Sequence, residues 1–192
     1  MPSRPPGVIV LCGGTSRRLA GLDKTRESLA GTTVMDHLLN ALPSGWDVVG
    51  VGEERATTRL VKWCRESPAG GGPVAGIAAG LDHLGRLDTG TCVVVAGDMP
   101  FASPAVPALV DMLNARPELD AVLATDPDGR RQPLLAAYRC GMLRAALPHA
   151  AGARLMSVVE TLVTGTVACE SRVTLDVDTP ESLEQARHIV GT

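Results

Sequence analysis

The shortage of aromatic residues narrows the partners that this chain can recognise. Only 2% of its 192 residues are Phe, Trp or Tyr, so the core must be built from aliphatic side chains. Single-stranded nucleic acid is bound largely by aromatic stacking and clustered cations. This chain has few aromatic residues for stacking, and its formal net charge of −3 and lack of a basic tail mean that it has no cluster of cations in sequence. We therefore expect no nucleic-acid partner, whereas a small anion held by a few local cations is compatible with this composition.

Cysteine pairs and long apolar runs are also missing. No two of the five cysteines form a C-x-x-C pair, which argues against a zinc site. Their odd number and apolar surroundings favour free thiols in a reducing compartment. The apolar run at residues 8–11 is too short for a signal peptide or a membrane span. We therefore expect a soluble, cytoplasmic protein without a membrane partner, and either a monomer or a small homo-oligomer fits the sequence.

Apolar segments of strand length alternate with helix-like segments along the chain. We predict strands at residues 8–11, 47–51, 58–64, 92–96, 121–125, 132–138, 166–169 and 174–177. We predict helices at residues 34–41, 74–84, 104–115, 141–147, 153–162 and 180–190, the third with Ser103 as its N-cap and Pro104 at its first position. This alternation is typical of a three-layer α/β fold, in which helices cover both faces of a mostly parallel, Rossmann-like sheet. The length fits a single domain over residues 1–192.

The first predicted strand is followed by a glycine-rich loop with cations. Gly13 and Gly14 allow the backbone to turn and aim N–H groups at an anion, and Arg18 and Lys24 add positive charge. The loop lacks the G-x-G-x-x-G pattern of dinucleotide sites and the G-x-x-x-x-G-K-[ST] pattern of P-loops. These residues alone are equally compatible with an anion cradle and with a plain turn carrying exposed cations.

Two carboxylates follow later strands and can hold a metal ion. Ligands of such folds bind beyond the carboxyl ends of the strands. Asp98 follows the predicted strand at 92–96, and Asp178 follows the one at 174–177. Carboxylate oxygens are ligands that Mg²⁺ prefers. Both also have ordinary interpretations, because Asp98 lies in a turn before proline and either Asp178 or Thr179 can cap the last helix.

Two further segments have open interpretations. Residues 70–76 contain several glycines, which can let a flat base lie against the backbone or can form a mobile loop before a tightly packed helix. Residues 130–134 form either a substrate-facing edge or a solvated turn.

Five motifs, in this order, resemble those of the molybdenum cofactor guanylyltransferases and related small nucleotidyltransferases. Residues 11–24, LCGGTSRRLAGLDK, follow the family's first motif, L-A-G-G-x-S-x-R-M-G-x-D-K. The other four are GPVAGI at 72–77, DMPF at 98–101, QPLLAAYR at 132–139 and DVDTPESL at 176–183. The resemblance covers residues 7–190 and implies the family's fold, a Rossmann-like nucleotidyltransferase.

The resemblance also implies roles for individual residues. Arg18, Lys24 and Asp98 are the implied catalytic residues, with both cations on triphosphate oxygens. Asp98 and Asp178 are the implied Mg²⁺ ligands, Asp178 standing where many relatives have Asn. The residues implied in nucleotide binding are Leu11, Cys12, Gly13, Gly14, Thr15, Arg18, Lys24, Glu66, Gly72, Pro73 and Gly76.

One departure from the family bears on the base. Guanine-using relatives often carry Asp before the glycine–proline motif, in a stretch like R-E-D-P, whereas this chain has Arg65-Glu66-Ser67-Pro68. A carboxylate there can accept hydrogen bonds from guanine N1–H and N2–H. Ser67 cannot replace it well, which leaves Glu66 as the candidate.

The implied reaction is Mg²⁺-dependent transfer of a nucleoside monophosphate from an NTP, with GTP favoured, to a phosphorylated acceptor such as molybdopterin. An acceptor phosphate oxygen would attack the α-phosphorus in line and expel pyrophosphate. The acceptor pocket is expected at residues 130–132 and 152–157. Two alternatives stay open. The first is a cytidylyltransferase or another nucleotidyltransferase that acts on a different phosphorylated acceptor. The second is a nucleotide-binding module that catalyses no reaction.

Overall fold

The computed structural model describes residues 5–13, 23–85, 90–148 and 152–191. The strands are β1 (Gly7–Leu11), β2 (Ser28–Leu29), β3 (Thr32–Thr33), β4 (Asp47–Val51), β5 (Lys62–Cys64), β6 (Thr91–Ala96), β7 (Ala121–Thr125), β8 (Arg131–Arg139) and β9 (Thr164–Ala168). The helices are α1 (Val34–Ala41), α2 (Gly72–Leu84), α3 (Ala105–Ala115), α4 (Cys140–Ala146), α5 (Leu155–Val159) and α6 (Pro180–Gly191). Within the described ranges, no helix is both long and apolar enough to cross a bilayer.

One seven-stranded sheet carries the fold, in the order β5-β4-β1-β6-β8-β7-β9. Strands β5, β4, β1 and β6 are parallel to one another, and β9 is parallel to β7. Strand β8 runs antiparallel to both β6 and β7. The short strands β2 and β3 form a separate antiparallel pair. The mostly parallel sheet is as predicted, with β8 as its reversed strand.

Helices cover both faces of this sheet, which explains why the sequence of β1 is apolar throughout. Val8 and Val10 belong to a core cluster with residues of α1 and α3, whereas Ile9 belongs to the opposite cluster with residues of α2, α4 and α5. Successive side chains of a strand point to opposite faces. All three residues are fully buried, so an alternating polar pattern would have placed polar groups in one core. The predicted three-layer architecture is confirmed.

Helix α2 approaches the sheet closely because it carries glycines on its inner face. A Cβ atom on Gly80 would stand 2.5 Å from Ile9 Cγ2, and one on Gly76 would stand 3.2 Å from Leu11 Cδ2. Close packing leaves no room for a larger side chain at Gly80 without moving the helix outward. These contacts hold α2 against the middle and the carboxyl end of β1.

Two arginines secure the C-terminal ends of helices on one side of the sheet. Arg59 donates to the carbonyl oxygens of Leu39, Leu42, Pro43 and Trp46, at 2.8–3.3 Å. Arg139, at the end of β8, donates to the carbonyl oxygens of Leu113, Arg116 and Leu119, at 2.7–3.3 Å. The last carbonyls of a helix lack partners within the helix. Both arginines therefore have structural roles at the ends of α1 and α3.

Several predicted element boundaries were wrong by a few residues, and one predicted strand is not a strand. Residues 174–177 form a loop between β9 and α6. The neighbouring strand β6 already pairs with β1 on one edge and β8 on the other. The segment therefore cannot join the sheet beside β6. Its Val177 N–H donates to the carbonyl of Asp98, in the turn after β6, at 2.8 Å.

The predicted N-cap of α3 was also wrong. Pro104, not Ser103, occupies the cap position, and the helix begins at Ala105. The Ser103 hydroxyl donates instead to the carbonyl oxygen of Ala41, the last residue of α1. Its side chain therefore ties the start of α3 to the end of α1.

Candidate active site

A cavity of about 830 Å³ opens at the carboxyl edge of the parallel strands. Leu11, Val51 and Ala96, the last residues of β1, β4 and β6, lie side by side in the sheet register and line its floor. Leu134 joins them from β8, whose reversed direction brings its first half to the same edge. The other lining residues are Cys12, Gly13, Asp23, Lys24, Thr25, Glu66, Gly70, Gly72, Pro73, Gly76 and Asp98.

Most of the residues predicted to bind nucleotide or metal line this single cavity. They come from three separate parts of the chain: Leu11, Cys12, Gly13, Lys24, Glu66, Gly72, Pro73, Gly76 and Asp98. Gly14, Thr15 and Arg18 lie outside the described residues. The fold therefore brings together side chains and backbone that are up to 87 positions apart in sequence, from Leu11 to Asp98.

Lys24 and Asp98 form an ion pair in the wall of the cavity. Lys24 begins a short 3₁₀ turn, Lys24–Arg26, which the Asp23 side chain caps by accepting from the Thr25 N–H. Asp98 lies in the turn that follows β6. The Lys24 ammonium contacts Asp98 Oδ2, and the two side chains are 23% and 12% exposed. A cation and a carboxylate are thus held together where a charged ligand can reach both.

The segment that carries Asp178 lies beside Asp98, although Asp178 is not among the residues lining the cavity. The hydrogen bond from Val177 N–H to the Asp98 carbonyl joins the two segments. Burial raises the pKa of Asp176, and the charges of Asp178 and Asp98 raise it further, while Lys24 opposes them. The three carboxylates therefore lie close enough together for their charges to interact.

Thr179, and not Asp178, caps the last helix. The Thr179 Oγ1 accepts from the Ser182 N–H at 3.1 Å, and the Ser182 hydroxyl accepts from the Thr179 N–H at 3.1 Å. This reciprocal pair is the geometry of a capping box. The Asp178 N–H also donates to the Ser182 hydroxyl, at 3.0 Å. The Asp178 carboxylate is therefore not engaged as the helix cap.

The carboxylates suit a hard cation, but they do not form a closed cage. Among the described residues, no group of three His, Cys, Asp or Glu side chains is arranged to hold a metal ion. Mg²⁺ is commonly bound by one or two carboxylates, with substrate phosphates and water completing its shell. Asp98 and Asp178 fit that incomplete donor set, and the charges of both carboxylates add to the effect of burial in raising the pKa of the neighbouring Asp176.

Glu66 and Ser67 point to different parts of the molecule. Glu66 lines the cavity, and its Oε1 accepts from the Gly70 N–H at 3.2 Å. Ser67 lines a separate groove beside α2 and α4, together with Arg144. The structure therefore places Glu66, and not its neighbour, where a carboxylate can face a base.

The motif at residues 132–139 contributes one cavity residue, Leu134. Tyr138 is fully buried, and its hydroxyl donates to the Pro133 carbonyl at 2.8 Å. Arg139 caps α3 as described above. Arg130 and Arg131 are exposed and do not line the cavity. The latter part of this motif is therefore structural.

Sequence reasoning missed Asp23, Thr25, Val51 and Ala96 as cavity residues, whereas Gly70 and Leu134 lie in the segments 70–76 and 130–134, for which a ligand-facing interpretation was open. Val51 and Ala96 could have been found, since each ends a strand that was predicted. Asp23 immediately precedes Lys24 and could have been proposed as the cap of its turn. For Leu134 the structure decides between the two open interpretations of residues 130–134, because the reversed direction of β8 brings it to the cavity.

The Cys12 thiol in the cavity wall is chemically quiet. Burial raises its pKa to about 12, and its Sγ lies 3.5 Å from the Met35 Sδ. Only 8% of the residue is exposed. A thiol with this pKa carries almost no thiolate at neutral pH, so it is a packing residue rather than a nucleophile.

Comparison with known proteins gives a consistent family. Residues 8–165 match the family described as MobA-like NTP transferase domain. A protein of Natronomonas pharaonis described as "Probable molybdenum cofactor guanylyltransferase" is 28% identical over 198 aligned positions, which cover 93% of this chain and 95% of that protein. A molybdenum cofactor guanylyltransferase of Bradyrhizobium is 30% identical, over 76% of this chain and 70% of that protein.

A solved structure extends the likeness to three dimensions. Molybdopterin-guanine dinucleotide biosynthesis protein A of Archaeoglobus fulgidus superposes with a TM-score of 0.74 at 26% identity, over 96% of this chain and 98% of that one. The family match covers most of the chain, and the same strand-end loops that carry the matching motifs surround the cavity. The chain thus belongs to the MobA-like NTP transferase family and is a nucleotidyltransferase with the fold of that family.

Proposed function

We propose that this protein transfers the nucleoside monophosphate of an NTP, with GTP favoured, to a phosphorylated acceptor, molybdopterin, and releases pyrophosphate. The observation that carries the proposal is the Lys24–Asp98 pair in the wall of a large cavity at the carboxyl ends of β1, β4 and β6. Two relatives, 28% and 30% identical to this chain, are described as a probable molybdenum cofactor guanylyltransferase and a molybdenum cofactor guanylyltransferase.

The residues after β1 and in the 3₁₀ turn would bind the triphosphate. The backbone around Leu11–Gly13 and the Lys24 ammonium border the cavity, and Arg18 would add a second cation. Lys24 would exchange its contact with Asp98 for phosphate oxygens once a nucleotide enters. A fixed cation at the departing pyrophosphate stabilises charge that develops in the transition state.

Asp98, with Asp178 beside it, would hold Mg²⁺, which would polarise the α-phosphate. The acceptor phosphate oxygen forms the new bond to the α-phosphorus, and the bond to the pyrophosphate oxygen breaks in line with it. No protein nucleophile is needed, because catalysis of this kind depends on positioning and on charge. This role agrees with the quiet Cys12 thiol.

Glu66 would select guanine. Its Oε1 faces the cavity and is oriented by the Gly70 N–H. A carboxylate can accept from both N1–H and N2–H of guanine, whereas adenine and cytosine present different donor and acceptor patterns. The acceptor would lie toward residues 130–132 and 152–157. The second range runs into α5, which packs against β8 on one face of the sheet.

The test is release of pyrophosphate by the purified protein with Mg²⁺, molybdopterin and each of GTP, CTP, ATP and UTP. We expect release with GTP that requires the acceptor and stops when EDTA is added. Preferred use of CTP would favour the cytidylyltransferase alternative. Binding of nucleotide in calorimetry without any pyrophosphate release would favour a non-catalytic module. An equal response to all four nucleotides would contradict the proposed base selection.

A further inference from the structure

We propose that Arg55 is a positioning residue of the nucleotide site, which holds the Lys24 ammonium in place without contacting substrate. The inference rests on the proposed function, in which Lys24 binds the triphosphate. Arg55 lies in the loop between β4 and β5 and is not among the residues that line the cavity. Its effect on Lys24 is transmitted through the two neighbours of Lys24.

Arg55 binds the residue on each side of Lys24. Its Nη1 donates to Asp23 Oδ2 at 2.8 Å and to Thr25 Oγ1 at 2.5 Å. Both of these residues line the cavity. A guanidinium that bridges positions 23 and 25 restricts the backbone between them, and Lys24 is the only residue there.

The turn that carries Lys24 is too short to be stable by itself. It comprises three residues of 3₁₀ helix, and such short segments have poor hydrogen-bond geometry. Asp23 supports it locally by accepting from the Thr25 N–H at 3.1 Å and from the Thr25 hydroxyl at 2.6 Å. A contact from a distant part of the chain is therefore needed to set the position of the turn relative to the sheet.

The other side of the turn packs against the backbone that carries Asp98. Thr25 is 4% exposed, and a Cβ atom on Gly97 would stand 3.4 Å from the Thr25 Cγ2. A displacement of Thr25 would therefore change the distance between Lys24 and Asp98. Arg55 acts on this same residue through its hydroxyl.

Arg55 is itself anchored to the sheet. Its guanidinium carbon lies 5.4 Å from the centroid of the Trp63 ring, and its side chain is only 9% exposed. Trp63 lies in β5, and its ring occupies the space over Gly50 of β4, where a Cβ atom would stand 2.6 Å away. Stacking on an aromatic face fixes the plane of the guanidinium. The path runs from the sheet through Trp63 and Arg55 to the Lys24 turn.

Charge further distinguishes Arg55 from the arginines that cap helices. Arg59 and Arg139 donate to carbonyl oxygens of the main chain, whereas Arg55 forms an ion pair with Asp23 in the cavity wall. Burial alone would raise the pKa of Asp23, but hydrogen bonds from Thr25 and the charges of Arg55 and Arg26 bring it below its usual value. The ionised Asp23 thus remains available both as the cap of the turn and as the partner of Arg55.

A double-mutant cycle tests whether Arg55 acts through Lys24. Arg55→Met, Lys24→Met and the double variant are compared with the wild type by kcat and KM for NTP in pyrophosphate release, and by the Kd of Mg·NTP in calorimetry. We expect Arg55→Met to lower kcat/KM about 10- to 100-fold, since small displacements of a positioned group cost rates of this order. In the Lys24→Met background the same substitution should change kcat/KM by less than about threefold. Arg55→Lys should recover part of the loss, because it keeps the charge but not the bridge.

Arg59→Met is the matched control, since Arg59 is four positions away and its guanidinium donates to main-chain carbonyl oxygens at and beyond the end of α1. It should lower the melting temperature and leave kcat/KM unchanged at a temperature where the protein is folded. The inference would be overturned if Arg55→Met lowered kcat/KM as much in the Lys24→Met background as in the wild type. It would also be overturned if folded Arg55→Met kept full activity. If the wild type released no pyrophosphate, the proposed function would fail, and the cycle on Kd would still decide the role of Arg55.

Discussion

The Lys24 ammonium contacts the Asp98 carboxylate, although the two residues come from loops after different strands of the sheet. Both side chains are largely buried, at 23% and 12% exposed, and both border the cavity. Neither charge can move away from the cavity without losing its partner. A nucleotide that enters with a cation can replace both halves of this pair, so the free site is already arranged for a charged ligand.

Asp98→Asn should inactivate the enzyme without unfolding it. The substitution keeps the size of the side chain and removes the charge that would hold Mg²⁺, so we expect kcat to fall about 10²- to 10³-fold. Pyrophosphate release and thermal unfolding would be measured on the same sample. Asp111→Asn, at an exposed position of α3, is the control and should change neither. Wild-type activity of Asp98→Asn in Mg²⁺ would argue against its catalytic role.

Glu66→Gln should weaken the selection of guanine. The amide keeps an acceptor oxygen but replaces the second with a donor, so one hydrogen bond to guanine N1–H or N2–H is lost. We expect the ratio of kcat/KM for GTP over ATP to fall about 10-fold or more, since an unpaired polar group in a binding site costs about 1–3 kcal/mol. Ser67→Ala is the control, because Ser67 faces the groove beside α2 and α4. A change in the ratio with Ser67→Ala and none with Glu66→Gln would reverse the assignment.

Arg59→Met should lower stability and spare catalysis. The substitution removes the donors that satisfy four carbonyl oxygens at the end of α1 and beyond it. Buried acceptors left without partners cost about 1–3 kcal/mol each, and partial access of water reduces the sum. We expect the free energy of unfolding to fall by about 2–4 kcal/mol in urea denaturation. A loss below about 0.5 kcal/mol, the range of ordinary surface substitutions, would show that water replaces the arginine.

Asp23 should make stability depend on pH in the acid range. Its pKa in the folded protein is below the usual value of 3.8. The unfolded chain therefore binds a proton first as the pH falls, and the stability supplied by the carboxylate is lost as the pH drops through the folded pKa. Asp23→Asn lacks this contribution and should be less stable than the wild type at pH 7. The difference in unfolding free energy should shrink as the pH falls below 4; a constant difference from pH 7 to pH 3 would contradict it.

Cys12 should resist alkylation and be dispensable. With its pKa raised to about 12, the folded protein holds almost no Cys12 thiolate at pH 8. In the native protein, iodoacetamide should therefore modify Cys12 more slowly than the less buried Cys64, as measured by peptide mass spectrometry, and urea should remove this protection. Cys12→Ala should keep pyrophosphate release within about twofold and lose about 1 kcal/mol of stability from the small space left beside Met35. Inactivation by Cys12→Ala would give the thiol a role that its environment does not suggest.

Much of the fold follows from local patterns in the sequence. The continuous apolar run of β1 requires burial on both faces, and that requirement alone predicts helices on both sides of the sheet. The candidate site residues follow from the same reasoning, because side chains after parallel strands must meet at one edge. Lys24, Asp98, Glu66 and Gly72 indeed border one cavity.

The sequence by itself thus determined the family, the layers and the edge of the sheet at which the site lies, since each depends on short segments read one at a time. Tertiary structure decided which strand neighbours which. Residues 174–177 stay outside the sheet because β6 has no free edge, and Leu134 reaches the cavity because β8 is reversed. It also decided that Glu66 faces the cavity while Ser67 does not. The hydrogen bonds of Arg55 to Thr25 and Asp23, 30 and 32 positions away in sequence, likewise depend on the tertiary structure. Such contacts join residues far apart in the chain, and no local pattern encodes the direction in which a side chain points once the sheet is assembled.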